Sequence, residues 1–135
     1  MNIVLVTGGF DPLHSGHIAY FKAAKALGNK LIVGVNSDQS VKRLKGEERP
    51  LINEHDRAEL IASMAVVDAV VIFDEDTPLS LIKATIPDVL VKGGDWRVEE
   101  IVGGELVQQA GGDVVSIPFV SNQSSTQIIQ KIKSL

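Results

Sequence analysis

His14 and His17 stand three positions apart in the run Gly8-Gly9-Phe10-Asp11-Pro12-Leu13-His14-Ser15-Gly16-His17, between an apolar stretch and a helical pattern. Side chains at that spacing share one face of a helix. Gly8 and Gly9 let the backbone approach a ligand closely where the first strand ends, and Gly16 leaves room for a bulky anion between the histidines. The unpaired N–H groups and the dipole at a helix start favour negative charge. The chemistry this segment suits is phosphate binding.

Other chemistries fit these residues less well. A dinucleotide turn needs Gly-x-Gly-x-x-Gly after the first strand, and the turn here lacks it. Two histidines with neither an HExxH pattern nor a cysteine make an incomplete metal-ligand set, so no metal held by the protein is expected. A purely structural reading, two histidines capping a helix, stays open on the residues alone.

Further candidates lie at the exits of later strands. Lys42, Arg43 and Lys45 follow the second strand in an irregular stretch, Asp38–Asn53, that reads as a loop able to close over phosphates; the plain alternative is a solvated charge cluster. Lys92-Gly93-Gly94-Asp95-Trp96 follows the fourth strand, where glycines admit a flat base and Trp96 could support a base or sugar face, unless it is simply packed. Ser124, Ser125 and Thr126 open the last helix and can cap it while binding phosphate. Arg57, near the start of a helix, reads on the residues alone as a surface partner of Asp56 or Glu54.

The elements that must position these residues are legible as alternating runs. Strands are expected at Asn2–Thr7, Leu31–Asn36, Ala69–Phe73, Val89–Lys92 and Val114–Pro118, apolar enough to be covered on both faces. Helices are expected at His17–Leu27, Glu54–Met64, Leu79–Thr85, Val98–Ala110 and Ser125–Lys133, with Gly28 and Gly111 as stops. Five β-α units predict one domain, residues 1–135, built as a doubly wound α/β parallel sheet with helices on both faces. With strand order 3-2-1-4-5, the exits of strands one and four flank the switch point where ligands bind in such sheets.

Composition bounds the function. The chain has 135 residues, 44% hydrophobic and 22% charged, the balance of a globular domain. No apolar run approaches the roughly 18 residues of a membrane span. The absence of cysteine excludes disulfides and thiolate zinc sites. A start at MNIVLVTGG, without a basic leader, and the lack of cysteine lead us to expect a cytoplasmic protein. The formal net charge of −4 argues against broad binding to nucleic acid or anionic membrane, so any phosphate site must concentrate its cations locally.

The segment GGFDPLHSGH resembles the signature of the nucleotidyltransferase superfamily related to the class I aminoacyl-tRNA synthetases, marked by His-x-Gly-His after the first strand. VNSDQSVKRLKG (35–46), FDEDTP (73–78), PDVLVKGGDW (87–96) and the Ser124-Ser125-Thr126 helix start extend the resemblance along the chain, toward the bacterial heptose-1-phosphate adenylyltransferases. The resemblance implies catalytic His14, His17 and Lys45. It implies nucleotide contacts at Gly8, Gly9, Phe10, Gly16, Gly93, Asp95, Ser124, Ser125 and Thr126, and substrate contacts at Asp11, Lys42, Arg57 and Trp96. ATP with Mg²⁺ and a sugar 1-phosphate are the implied reactants, and a homo-oligomer, a dimer in the simplest case, is expected. Two alternatives stand beside this: a glycerol-3-phosphate cytidylyltransferase using CTP, and a nucleotide-binding regulatory module without turnover. Phe119 stands where the cytidylyltransferases tend to carry an arginine, which weighs against the first.

Overall fold

The computed structural model describes residues 2–94, 96–118 and 125–135. Its core is a parallel sheet of five strands, β1 (Ile3–Gly8), β2 (Lys30–Asn36), β3 (Ala69–Phe73), β4 (Val89–Gly93) and β5 (Asp113–Ile117), in the order β3-β2-β1-β4-β5. The expected architecture and strand order are both found. β1 pairs with β2 from Ile3↔Lys30 to Gly8↔Val35 and with β4 from Val4↔Val89 to Val6↔Val91.

Alternation along β1 divides the core. Val4 and Val6 pack with Tyr20, Phe21 and Ala24 of α1 (Ser15–Lys25) and with Ile61 of α3 (Glu54–Ala62). Leu5 turns to the opposite face and packs with Leu90, with Ile82 of α4 (Leu79–Thr85), and with Val107 of α5 (Gly104–Gln109). Both faces of the central strands are covered, which is why they read as continuous apolar runs. The edge strand β3 departs from the expectation of full cover: Val71 is 39% exposed. An edge strand has a neighbour on one side only, and its outer face meets solvent.

Two segments differ from their sequence reading. Asp38–Lys45, expected as loop, forms the helix α2. Ser37 caps it by accepting from the Ser40 N–H at 3.1 Å, Asp38 lies in the first turn, and Lys42, Arg43 and Lys45 lie in the last, an arrangement that complements the helix dipole. Val98–Ala110, expected as one helix, is a 3₁₀ turn at Val98–Glu100 and then α5. Gly103 breaks it. Its φ is +81°, and a Cβ there would come within 2.6 Å of Ile82 Cδ1, so only glycine lets the turn pack on α4. The last helix, α6 (Ser125–Lys133), matches its expected bounds.

Candidate active site

A cleft of about 280 Å³ opens at the carboxyl ends of β1 and β4, the two strands flanking the switch point. Gly8, Gly9, Phe10 and Asp11 line it from the β1 exit, Gly93 and Trp96 from the β4 exit, and His17, Lys45, Arg49 and Lys92 supply its polar groups.

The histidines are held by a reciprocal cap. His14, the N-cap of α1, accepts the Gly16 N–H at Nδ1 (3.1 Å), and His17 accepts the His14 N–H at its own Nδ1 (3.2 Å). An Nδ1 that accepts carries no proton, so each neutral ring bears its hydrogen on Nε2. Doubly protonated rings would set an N–H against a backbone N–H and lose the cap. The rings lie 4.0 Å apart between centroids. The Phe10 ring meets His17 edge-on at 5.3 Å. Burial first, and then the neighbouring His14, lower the His17 pKa from the ordinary histidine value to about 4; burial also lowers His14. Near neutral pH, His17 is therefore a neutral N–H donor with a fixed tautomer. The capping reading and the chemical reading are compatible, because the cap orients the donor.

The cations come from three elements. Lys45 ends α2, Arg49 lies in the turn beyond it, and Lys92 is the penultimate residue of β4. Arg49 donates from Nε to Asp11 Oδ2 at 3.0 Å and from its terminal nitrogen to the Asp11 carbonyl. Lys92 is partly buried with its Nζ 4.9 Å from the Trp96 ring centroid, a cation–π contact. Burial, and then the charge of Lys45, lower the Lys92 pKa. A protein of net charge −4 thus gathers three cations in one cleft.

Several expected contacts take other roles. Arg57 is not a substrate contact: it has no exposed surface. Its Nε donates to Ile52 O (2.8 Å), one terminal nitrogen to Gly9 O and Asn36 O (2.7 Å each), and the other to Asp38 Oδ1 (2.8 Å). It ties the β1 and β2 exits to the start of α2. Asp11, expected at the substrate, is 3% exposed and accepts the Leu51 and Ile52 N–H groups at 2.7 and 2.8 Å as well as Arg49. It latches the β1 loop to the segment carrying Arg49. The Phe10 side chain is buried at φ +52°, packed on His17 and Phe21, which leaves its backbone to face the cleft.

Lys42 lines a separate shallow pocket with Asp38, Pro50 and Asn53, and is not brought to the cleft. His14 is drawn in through its stacking on His17, and Gly16 is buried in the first turn of α1. Trp96 is 43% exposed, its Nε1 donating to Gly93 O at 3.1 Å, so it is a cleft wall rather than core. Ser125 and Thr126 begin α6, but their side chains, like Asp95, Phe119 and Ser124, lie outside the described residues. Arg49 and Lys92 were missed as site residues in the sequence. Lys92 had a signal, since it lies two positions beyond the buried Leu90 on one strand and so shares its face of the sheet.

A parallel sheet with a cationic, histidine-bearing cleft at its switch point defines an α/β protein suited to nucleotide phosphates. Residues 5–131 match the cytidylyltransferase-like family, and the chain belongs to that family and is a nucleotidyltransferase. It is 54% identical over 129 residues to the bifunctional protein HldE of Koribacter versatilis, covering 96% of this chain and 26% of that protein. It is 52% identical over 132 residues to HldE of Citrifermentans bemidjiense, covering 98% of this chain and 27% of that protein. The chain spans about a quarter of the length of these relatives. Among solved structures, the lipopolysaccharide core biosynthesis protein of Thermoplasma volcanium aligns with a TM-score of 0.72 at 29% identity, covering 91% of this chain and 99% of that one. Thermotoga maritima TmcAL bound with alpha-thio ATP also aligns at 0.72, covering 99% of this chain and 50% of that one; at 16% identity it speaks for the fold. Among the described residues, no helix is long and apolar enough to cross a membrane.

Proposed function

We propose that the chain transfers AMP from ATP to a sugar 1-phosphate, D-glycero-D-manno-heptose 1-phosphate as the best substrate, releasing pyrophosphate and forming an ADP-sugar. The observation that carries this is the pairing of a neutral His17 donor with Lys45, Arg49 and Lys92 around one cleft. The similarity to HldE over nearly the whole chain supports the heptose substrate.

In the proposed reaction an acceptor phosphate oxygen attacks the α-phosphorus in line. A P–O bond forms as the bond to the bridging oxygen breaks, and pyrophosphate leaves with that electron pair. A phosphate is already nucleophilic near neutral pH, so no general base is needed. The protein's work is positioning and stabilising developing negative charge. His17 would donate from Nε2 to phosphate oxygen, with its partner His14 beside it. Lys45, at the end of a helix, and Lys92, on a strand, would neutralise charge from two sides. Mg²⁺ would share the triphosphate charge. The Asp11 carboxylate is taken up by two backbone N–H groups and Arg49, so the ion fits as one carried by the nucleotide rather than caged by the protein.

Two outcomes follow. Trp96, the only tryptophan in the chain, lines the cleft, so its fluorescence should change on addition of ATP and Mg²⁺. An unchanged spectrum at ATP concentrations that saturate an independent binding assay would count against nucleotide in this cleft. With a panel of nucleotides and sugar or polyol phosphates, pyrophosphate release should be fastest with ATP and the heptose 1-phosphate. Turnover with CTP and glycerol 3-phosphate alone would replace the proposal by the cytidylyltransferase reading.

A further inference from the structure

The cations at the end of α2 divide between two faces of the helix. Lys45 lines the cleft, whereas Arg43, two positions earlier and so roughly 200° around the helix, turns onto the acidic run after β3, Asp74-Glu75-Asp76. Arg43 Nε donates to Asp76 Oδ1 at 2.7 Å, and a terminal nitrogen donates to the Asp74 carbonyl. Its guanidinium is committed to the turn and not to the cleft.

Two serines extend the tie. Ser37, Ser40 and Arg43 recur every third residue and share one face of the helix and its cap. Ser37 Oγ donates to Asp74 Oδ1 at 2.6 Å and Ser40 Oγ to Glu75 O at 3.0 Å, so α2 grips three successive residues of the turn. α2 needs such ties. It has eight residues, too few for a helix to be stable alone, and it buries only Ser40 and Val41. Arg57 fixes its first turn through Asp38 at 2.8 Å. Arg43 ties its last turn, which carries Lys45, before Gly46 at φ +108° leads the chain away.

We propose that Arg43 and Asp76 form a clamp that aims Lys45 into the cleft, which makes Arg43 a positioning residue for phosphate binding and not a phosphate ligand. The assignment rests on the nucleotidyl-transfer reading above in taking the nucleotide's phosphates as what Lys45 meets. A lysine is a point charge on a flexible stem, so the backbone that bears it decides where the charge can reach. When the last turn of α2 frays, Lys45 leaves the cleft. The clamp lies at the surface, with side-chain exposures of 45% for Arg43 and 62% for Asp76, and such a pair adds little to global stability. Its effect is local, on the one turn it holds.

The test uses the full chain with Mg²⁺. Calorimetry measures affinity for the non-reacting analogue α,β-methylene ATP, and pyrophosphate release measures turnover. Arg43→Ala should weaken analogue binding and raise KM for ATP by about fivefold, the effect of one well-formed surface ion pair, with a melting temperature close to wild type. In a Lys45→Ala background the same change should weaken binding no further, because a clamp acts only through the lysine it aims. Asp76→Asn should also weaken binding, although removing an acid near an anion site would tighten it by charge alone. An Arg43→Ala protein that binds the analogue like wild type, whatever its melting temperature, would overturn the clamp. So would losses from Arg43→Ala and Lys45→Ala that add in full, or tighter binding in Asp76→Asn. Failure of the transfer reading looks different: analogue affinity follows the pattern of the clamp, yet ATP yields no pyrophosphate with any acceptor.

Discussion

Arg57→Ala should lower stability by about 3–5 kcal/mol, the cost of removing one partner from a buried charged network. The substitution leaves Gly9 O, Asn36 O and Ile52 O without their donor and Asp38 without its cation. For a domain of this size the melting temperature should fall by roughly 10–20 °C. Arg57→Lys should recover little, because one ammonium cannot span four acceptors in the fork geometry of a guanidinium. The remaining folded protein should also turn over slowly, since the exits of β1 and β2 lose their common anchor. The substrate-contact role implied by the resemblance would give the opposite pattern, a raised KM for ATP with an unchanged melting temperature.

His17→Gln should lower kcat by roughly 10²–10³, as removal of one preorganised charge-stabilising donor does. Glutamine is the informative choice because at the third helical position it can still accept the N-cap N–H and preserve the cap. Stability should therefore stay close to wild type, and KM for ATP should change less than kcat, because the lost interaction is made mainly in the transition state. A packed structural histidine would show early melting and normal turnover instead. Titration adds a second readout. With a folded pKa of about 4 against 6.5 for the free side chain, His17 binds a proton in the unfolded state before it does in the folded one. Its contribution is fully present above pH 6.5 and is lost as pH falls toward 4. The melting temperature of the wild type should decline across that window, and His17→Gln should decline less.

How much of this was legible in the sequence varies with the kind of interaction. β1, β2 and β4 announced themselves because strands covered on both faces must be apolar throughout, and their order with the histidine turn placed the cleft. α2 was hidden. Between Asp38 and Lys45 only Ser40 and Val41 are buried, so a charge-dense segment showed no helical stripe, and the Ser37 cap was the available signal. The break before α5 was written in Gly103-Gly104, but its need for a left-handed glycine arises from Ile82, twenty-one positions away. Arg57 and Asp11 were the hardest. Whether an arginine reaches solvent or the interior depends on acceptors at positions 9, 36, 38 and 52 converging on it, which no local pattern encodes.

The decisive measurement follows the label from ATP carrying ³²P at the α-phosphate, incubated with the full chain, Mg²⁺ and heptose 1-phosphate. Nucleotidyl transfer at the His17 cleft predicts that the label enters an ADP-sugar, with one pyrophosphate released for each product formed and both lost in His17→Gln. ATP bound tightly with no label transferred, or label transferred at an undiminished rate by His17→Gln, would contradict it.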